Sequence, residues 1–249
     1  MIEMMEKNTF KAIKMSVLIR FGLVLTMPAV LLSCLSDEEV LTGYGDAYVV
    51  VEIAGQDTLK GLGLHAFSFS EFARVIVTPP AGSDTTYTLA PYLGYKQEFF
   101  LEQPLAEFSK TLPLAGTYVF NAQFTDGQSL LFSNDLTTDY ILPPEITLCV
   151  YDVSGQRVDV VWKEVAKASS YNVKLIGKEE KILFVSDELS GRGNDFSFTR
   201  NTPRWQTTDY PASGDSVVIE VSAYLKEKNS SQGFLQSVSR ARKKFVWGI

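Results

Sequence analysis

The chain has 249 residues, of which 45% are hydrophobic and 21% charged, so its composition is that of a folded protein rather than a disordered or fibrous one. Its single histidine excludes a histidine-pair metal site. Its two cysteines, Cys34 and Cys149, are too far apart in sequence for a zinc knuckle or a redox CxxC pair. The formal net charge of −6 disfavours nucleic acid as a partner.

The first 33 residues have the layout of a secretory signal. Four basic and two acidic residues precede a run of twelve mostly apolar residues at positions 21–32. As a helix, such a run spans roughly 18 Å, well short of a hydrocarbon core about 30 Å thick, and Pro28 interrupts it. We therefore predict a signal peptide over residues 1–33; a buried core helix is the alternative.

The apolar run ends in Leu31-Leu32-Ser33-Cys34, which resembles the lipobox of bacterial lipoproteins. The resemblance implies cleavage after Ser33, a diacylglycerol on Cys34 and usually a third acyl chain. Two or three chains anchor a protein stably, because each buried methylene contributes about 0.8 kcal/mol. A structural role for Cys34 is the alternative.

Residues 34–43 form a predicted acidic tether, in which Asp37, Glu38 and Glu39 closely follow the lipid-attachment residue. Ser36 followed by these acids resembles the export signal that places lipoproteins of Bacteroidota on the outside of the outer membrane. The resemblance implies a lipid-anchored protein of the outer membrane that faces the cell exterior. A solvated spacer without signal function is the alternative.

Beyond the tether, apolar residues alternate with period two, which predicts strands. Short strands bounded by turn-forming residues are typical of β-sandwiches. Six segments carry the pattern, namely residues 48–53, 73–77, 117–124, 158–162, 171–175 and 217–224. Helix is predicted only in three short stretches, residues 68–72, 103–110 and 164–169.

Two consecutive prolines, Pro143 and Pro144, cannot pair within a sheet and predict a boundary between domains over residues 44–142 and 143–249. Each half has about 100 residues, the usual size of one immunoglobulin-like sandwich. The predicted fold class is therefore all-β, with two tandem immunoglobulin-like β-sandwiches after an N-terminal lipoprotein signal peptide.

In the second half, Trp162 follows alternating valines, and Tyr171 opens a Tyr-x-Val strand. These features resemble a fibronectin type III domain over residues 143–249. The resemblance implies that Trp162 and Tyr171 pack between the two sheets. The chain departs from the family at Val217, where a strand-F tyrosine is usual.

In the first half, Gly116 and Tyr118 enter a strand in the pattern that resembles the tyrosine corner of immunoglobulin-like folds. Glycine allows the tight turn before the strand, and the tyrosine hydroxyl can fold back onto upstream backbone. Together with a hairpin turn predicted at Asp126-Gly127, this spacing indicates a sandwich over residues 44–142.

Residues capable of catalysis are few. His65 lies among glycines and apolar residues, no Gly-x-Ser-x-Gly motif is present, and Cys149 alternates with apolar neighbours as a small strand residue. Carboxylate pairs such as residues 187–188 or Asp135 with Asp139 arise by chance among 29 acidic residues. We predict no catalytic residue, metal or cofactor. Calcium ligation is the alternative for one group of oxygen donors: Asn134, Asp135 and Asp139.

Ligand binding is expected at aromatic side chains in turns or irregular stretches, because flat rings bind sugar rings and protein partners. Four residues qualify: Tyr92, Tyr95, Trp205 and Trp247. The basic run at residues 240–244 is expected on a last strand, where Lys and Arg oppose edge-to-edge pairing.

These features predict a non-enzymatic, surface-anchored lipoprotein that acts as a binding or spacer module for a glycan or protein partner. Its expected partners are a membrane, through the lipid anchor, and a carbohydrate or another surface protein. Two alternatives remain: a glycan-binding component of a polysaccharide-uptake system, and a structural or adhesive component of a fimbria or cell-surface assembly.

Overall fold

The computed structural model describes residues 41–83, 85–190, 193–228, 230 and 233–249. The predicted signal peptide over 1–33, the lipid-attachment residue Cys34 and most of the predicted tether lie outside the described residues. Within the described ranges the chain is almost entirely β, and no helix there has the length and hydrophobicity needed to cross a membrane. The predicted all-β class is confirmed.

Seven strands from the first half of the chain build the first sandwich. One sheet has the order β1-β2-β5-β4 and the other β3-β6-β7, with β4 also pairing with β3 and every pair antiparallel. This is the strand order of a constant-type immunoglobulin domain. The strands are β1 Tyr44–Ala54, β2 Asp57–Phe67, β3 Phe72–Thr78, β4 Tyr87–Tyr92, β5 Tyr95–Glu102, β6 Gly116–Phe124 and β7 Ser129–Leu136.

Side-chain alternation forms the core between these two sheets. In β6, every second residue from Tyr118 to Phe124 is buried and the residues between them are exposed. The same alternation on β1 directs Ala47, Val49 and Val51 into this core. The buried members of the first core all come from residues 47–136.

The tyrosine corner predicted at Tyr118 is confirmed. Gly116 has a φ of +129°, a conformation that a residue with a side chain rarely adopts. The buried Tyr118 donates its hydroxyl to the carbonyl oxygen of Leu114 at 2.9 Å. The predicted Asp126-Gly127 turn joins β6 to β7, and Gly127 has a φ of +89°.

Replacing Tyr118 with phenylalanine should lower the free energy of unfolding by about 1 kcal/mol, because the corner loses one hydrogen bond while the ring stays buried. Chemical denaturation measures this difference. Tyr95→Phe, which alters an exposed ring, should leave the free energy of unfolding unchanged. Equal stability of Tyr118→Phe and the natural chain would contradict the role of the hydroxyl.

Eight strands from the second half build the second sandwich. One sheet has the order β13-β9-β8, and the other has the order β11-β10-β14-β15, with the short β12 also pairing with β10. Two sheets face each other as the fibronectin type III resemblance implies. The strands are β8 Ile146–Asp152, β9 Arg157–Trp162, β10 Ser170–Ile176, β11 Ile182–Val185, β12 Leu189–Ser190, β13 Asp195–Thr199, β14 Ser216–Lys226 and β15 Leu235–Val246.

Trp162 and Tyr171 lie in the core of the second sandwich, which confirms the prediction for both. Each is 1% exposed, and their ring centroids are 5.3 Å apart. The hydroxyl of Tyr171 accepts a hydrogen bond from the Val165 N–H at 2.8 Å. Val217, which departs from the family pattern, fills the same core as an aliphatic residue. The boundary between residues 142 and 143 stays a prediction.

The two sandwiches share one continuous sheet, a feature that the sequence pattern did not indicate. β1 pairs in parallel with β15, from Val49 opposite Ser237 to Glu52 opposite Arg240. A third apolar cluster lies on the opposite face of β1 from the first core; its buried members are Tyr48, Val50, Phe108 and Val238. Residues 41–249 accordingly form one compact unit.

The three predicted helices are wrong. Residues 68–72 form a bend that leads into β3, and residues 164–169 form a turn in which Lys167 has a φ of +69°. Residues 103–110 contain only the 3₁₀ turn Leu105–Glu107. A second 3₁₀ turn spans Lys178–Glu180. Segments this short cannot offset the cost of helix nucleation unless they bury an apolar face.

The basic run at residues 240–244 was predicted to oppose pairing at a sheet edge. This prediction is wrong for its first residue, Arg240. Arg240 lies between two neighbouring strands, because β15 pairs with β14 on one side and with β1 on the other. Its guanidinium contacts the carboxylates of Glu52 and Glu102, and its side chain is only 17% exposed. Arg240 therefore forms a partly buried ion pair rather than a charged edge.

Candidate functional site

A cavity of about 530 Å³ lies where the start of β1 and the end of β2 meet the hairpin between β14 and β15. Its lining comes from both halves of the chain. Tyr44 and Asp46 belong to β1, His65 and Phe67 to β2, and Phe234 directly precedes β15. The volume is within the range of small-molecule sites, about 300–1,000 Å³.

Strand register places the key side chains of the cavity on one face. Tyr44 lies opposite Phe67, and Asp46 lies opposite His65, in the antiparallel β1–β2 pair. Two residues further along, the ring of Tyr48 occupies the space that a Cβ at position 63 would need. Glycine at this position of β2 therefore allows Tyr48 to lie directly against the strand next to the cavity.

Aromatic rings form the walls of the cavity. Tyr44 stacks on Phe67 with ring centroids 6.4 Å apart, and Phe67 meets Phe69 edge to face at 5.2 Å. Phe234 approaches Tyr44 from the hairpin side at 6.5 Å. Phe69 is 77% exposed, so one wall is open to solvent. Such rings offer both apolar area and electron-rich faces to a ligand.

Asp46 is the buried polar group of the cavity and is only 6% exposed. Its Oδ2 accepts a hydrogen bond from the Leu235 N–H at 2.9 Å, whereas its Oδ1 has no hydrogen-bond partner among the described residues. Burial raises the pKa of Asp46 to about 7, the Leu235 hydrogen bond opposes this increase, and the nearby charge of Glu227 adds to it. A buried oxygen without a partner is energetically costly, and burial of the carboxyl favours its neutral form.

His65 makes a hydrogen bond at the edge of the cavity. Its Nε2 lies 2.9 Å from Oε1 of Glu98 on β5, and both side chains are partly exposed. The imidazole is therefore held in place by a neighbouring carboxylate. Together with Asp46 it supplies the few polar groups of a mostly aromatic cavity.

Two of the four aromatic residues selected from the sequence, Tyr92 and Tyr95, are exposed at the tip of the β4–β5 hairpin. They lie opposite each other in the β-ladder, and the turn between them contains Leu93 with a φ of +49°. Tyr92 packs edge to face on Phe100, and Tyr95 is 62% exposed. Neither lines the cavity, and ligand binding by the two rings stays a prediction.

The expected exposure of the other two aromatic residues is corrected by the structure. Trp247 is 2% exposed because its ring packs on Tyr151, with centroids 4.9 Å apart, and its backbone N–H donates to the Asp215 carbonyl. Trp205 is half-buried and donates its indole N–H to the Thr199 carbonyl at 3.0 Å. The two tryptophans contact each other against the second core and offer no flat exposed platform.

The other chemically reactive candidates make structural contacts. Burial raises the pKa of the Cys149 thiol to about 11, so this thiol stays protonated and unreactive.

The oxygen donors considered for calcium also have protein partners. Asn134 donates its amide to Glu227 at 2.7 Å and accepts from the Ala47 N–H at 3.0 Å. Asp135 and Asp139 have separate partners, Thr117 and Lys167. Within the described ranges, no three His, Cys, Asp or Glu side chains cluster as metal ligands would.

Asp46, the residue most informative about the cavity, was not identified from the sequence. The available signal was a lone acid at the start of a strand that is otherwise apolar on both faces from residue 47 to residue 51. A strand buried on both faces has no solvated side for a carboxylate, so an acid there must be buried or paired. Its cavity partners are distant in sequence, and only the fold places them together.

No protein-family model and no curated protein matches the chain. Among solved structures, it is similar to a cytokine receptor complex at 12% identity and a TM-score of 0.32, covering 82% of this chain and 97% of that one. It is also similar to a tetra-tandem repeat in the extending region of a large adhesion protein, at 16% identity, a TM-score of 0.27 and coverage of 82% and 50%. The third similarity is to the chicken CNTN1 FN1–FN3 domains, at 9% identity, a TM-score of 0.27 and coverage of 84% and 66%. The assignment of the two sandwiches depends on their own strand order and cores.

Proposed function

We propose that the protein is a non-enzymatic, lipid-anchored protein of the outer-membrane surface that binds a glycan or protein partner in the cavity between its sandwiches. The observation that carries the proposal is the cavity itself, with aromatic walls from both halves of the chain and the buried carboxyl of Asp46 in its lining. Mostly apolar pockets with a few convergent polar groups are typical of ligand sites.

The environments of Cys149 and His65 support a role in binding rather than catalysis. Cys149 is buried with a raised pKa, and His65 is engaged by the carboxylate of Glu98. A general base or a thiol nucleophile would need a reacting partner held nearby and a pKa suited to proton transfer. The aromatic walls instead offer contact area, which contributes to affinity without any chemical step.

The continuous sheet supports a site between the sandwiches. β1 and β15 form four consecutive residue pairs in parallel, and a buried cluster covers one face of their junction. These contacts fix the distance between cavity walls that come from opposite ends of the sequence. The same rigidity also favours the structural alternative, in which the double sandwich holds another component at a set distance from the membrane.

Anchoring through Cys34 predicts that Cys34→Ala moves the protein from the membrane fraction to the soluble fraction, because no acyl chain can then be attached. Fractionation of cells followed by immunoblotting measures the distribution. Cys149→Ala is the matched control: this residue lies in the folded core, so its loss should leave the protein in the membrane fraction. Membrane association of Cys34→Ala would contradict the anchor and the proposed location.

Binding is tested with the purified full chain on a panel of immobilised polysaccharides, and by crosslinking on intact cells. We expect retention on one ligand class, weakened about tenfold or more by Phe67→Ala, because this change removes a ring from the cavity wall. Tyr95→Ala is the matched control, because its ring lies on the exposed hairpin outside the cavity. Absence of retention and of crosslinked partners, or equal retention by the Phe67 variant, would contradict binding in the cavity.

A further inference from the structure

The charged groups around the cavity are nearly all acidic. Asp46 lines it, Glu98 lies behind His65, and Glu227 is close enough for its charge to raise the pKa of Asp46. No Lys or Arg lines the cavity among the residues that the structure describes. The side chain of Lys226 reaches Gly233 of the lining, but its ammonium group is paired with Glu188. The carboxylates around the cavity therefore attract a cation and repel an anion.

The hydrogen-bonding groups of the cavity also favour a cationic ligand. The Oδ1 of Asp46 has no hydrogen-bond partner among the residues that the structure describes, and Oδ2 already accepts from the backbone of Leu235. In its ionised form the carboxylate can only accept hydrogen bonds, so a ligand that pairs with it has to donate. A charged donor gives the strongest such bond, and it removes the cost of holding a buried carboxylate without a counter-charge.

The aromatic walls complete the requirement for a cation. The negative π-face of a tyrosine or phenylalanine ring attracts an ammonium or guanidinium group within about 6 Å of the ring centroid. Tyr44 and Phe67 lie at the positions of β1 and β2 adjacent to Asp46 and His65 on the same face of the sheet. A carboxylate beside electron-rich rings is an arrangement suited to cations on apolar stems.

We infer that the cavity selects a ligand bearing an organic cation, either an ammonium or a guanidinium group carried on an apolar stem. This inference rests on the proposed function, since it names the ligand chemistry of the same cavity. The charged group would pair with the carboxylate of Asp46, and the stem would lie between Tyr44, Phe67 and Phe234. A basic side chain of a protein partner carries its cation on a methylene stem, and an amino sugar carries it on a ring whose C–H face can pack against aromatic walls.

The single histidine provides a specific probe, because His65 lines the cavity and its ring signals in an NMR spectrum have no counterpart elsewhere in the chain. The purified full chain is titrated with cadaverine and agmatine, with neutral N,N′-diacetylcadaverine as the matched control. Glucosamine and N-acetylglucosamine form a second matched pair, which distinguishes an amino sugar from a basic side chain as the source of the cation.

We expect a saturable shift of the His65 signals with at least one cationic probe and none with its neutral counterpart. Asp46→Asn should weaken that binding about tenfold or more, because the amide carries no charge. Asp126→Asn, which changes an exposed turn by the same charge, should leave binding unchanged.

Equal shifts with the neutral probes, or unchanged cation affinity in Asp46→Asn, would overturn the inference. If neutral sugars bind and cations do not, the cavity remains a ligand site and only the inferred ligand chemistry fails. If His65 responds to none of these probes and to none of the ligands that retain the protein, both the inference and the proposed site fail.

Discussion

Replacing Arg240 with alanine should lower the free energy of unfolding by roughly 3–5 kcal/mol, because two poorly solvated carboxylates lose their counter-charge. The Nη1 and Nη2 atoms of Arg240 lie 2.5 and 2.7 Å from the two carboxylate oxygens of Glu102, and Nη1 lies 3.3 Å from Glu52. All three side chains are at most 20% exposed. The triad joins β15 of the second sandwich to β1 and β5 of the first, so its loss should weaken their junction. Urea denaturation measures the change.

Two comparisons isolate the buried charge as the cause. Arg204→Ala removes an arginine from an ion pair with Asp187 in which both side chains are more than 60% exposed, and should change stability far less. Adding Glu102→Gln to Arg240→Ala should recover part of the lost stability, because one of the uncompensated carboxylates is then neutral. If Arg240→Ala is as stable as Arg204→Ala, the triad does not stabilise the junction.

Asp46→Asn should make the protein more stable at pH 8, with a gain of up to about 4 kcal/mol over the natural chain. Burial raises the pKa of Asp46 from 3.8 to about 7, so the folded state holds this proton more tightly than the unfolded state. The resulting stabilisation is fully present below about pH 4 and is lost as the pH rises to about 7. Asparagine cannot ionise, and its side-chain oxygen can still accept from the Leu235 N–H.

Thermal unfolding of both proteins between pH 4 and pH 8 tests this expectation. The difference in stability should be small near pH 4, grow between pH 4 and pH 7, and become constant above pH 7. Subtracting one curve from the other cancels the other titrating groups, including Glu188 and Asp215, whose pKa values are lowered by hydrogen bonds. A difference that is constant across the whole range would contradict the raised pKa of Asp46.

The predictions from sequence succeeded where one strand carries its own pattern. All six predicted strands are present, because alternating valines and aromatic residues fit a half-buried pleated strand without reference to distant residues. The tyrosine corner was equally local, since Gly116, Tyr118 and Leu114 lie within five residues. β2 was missed because its glycines resemble loop residues, although Gly61 and Gly63 leave room for the rings of Phe108 and Tyr48.

The predictions failed where the environment of a residue depends on distant parts of the chain. Trp247 was expected to be exposed as an aromatic residue of an irregular stretch, but Tyr151 and Trp205 pack against its ring. Arg240 was read as part of a charged edge because nothing near it in sequence indicates β1 as a neighbour. The cavity was missed for the same reason, since its walls come from strands about 190 residues apart in sequence.

The parallel pairing of β1 with β15 has a consequence for how the chain matures. Val49 and Ser237 are partners across 188 residues of sequence, so one edge of β1 stays open until almost all of the chain is available. Residues 49–51 of that edge are all valine, and an unpaired valine-rich edge readily adopts the strand of a second molecule. A chain interrupted before residue 235 would expose this edge permanently. If completion of the chain is delayed, we expect one of two outcomes in place of normal folding. Either an escort protein covers the open edge of β1, or two copies of the chain exchange β15.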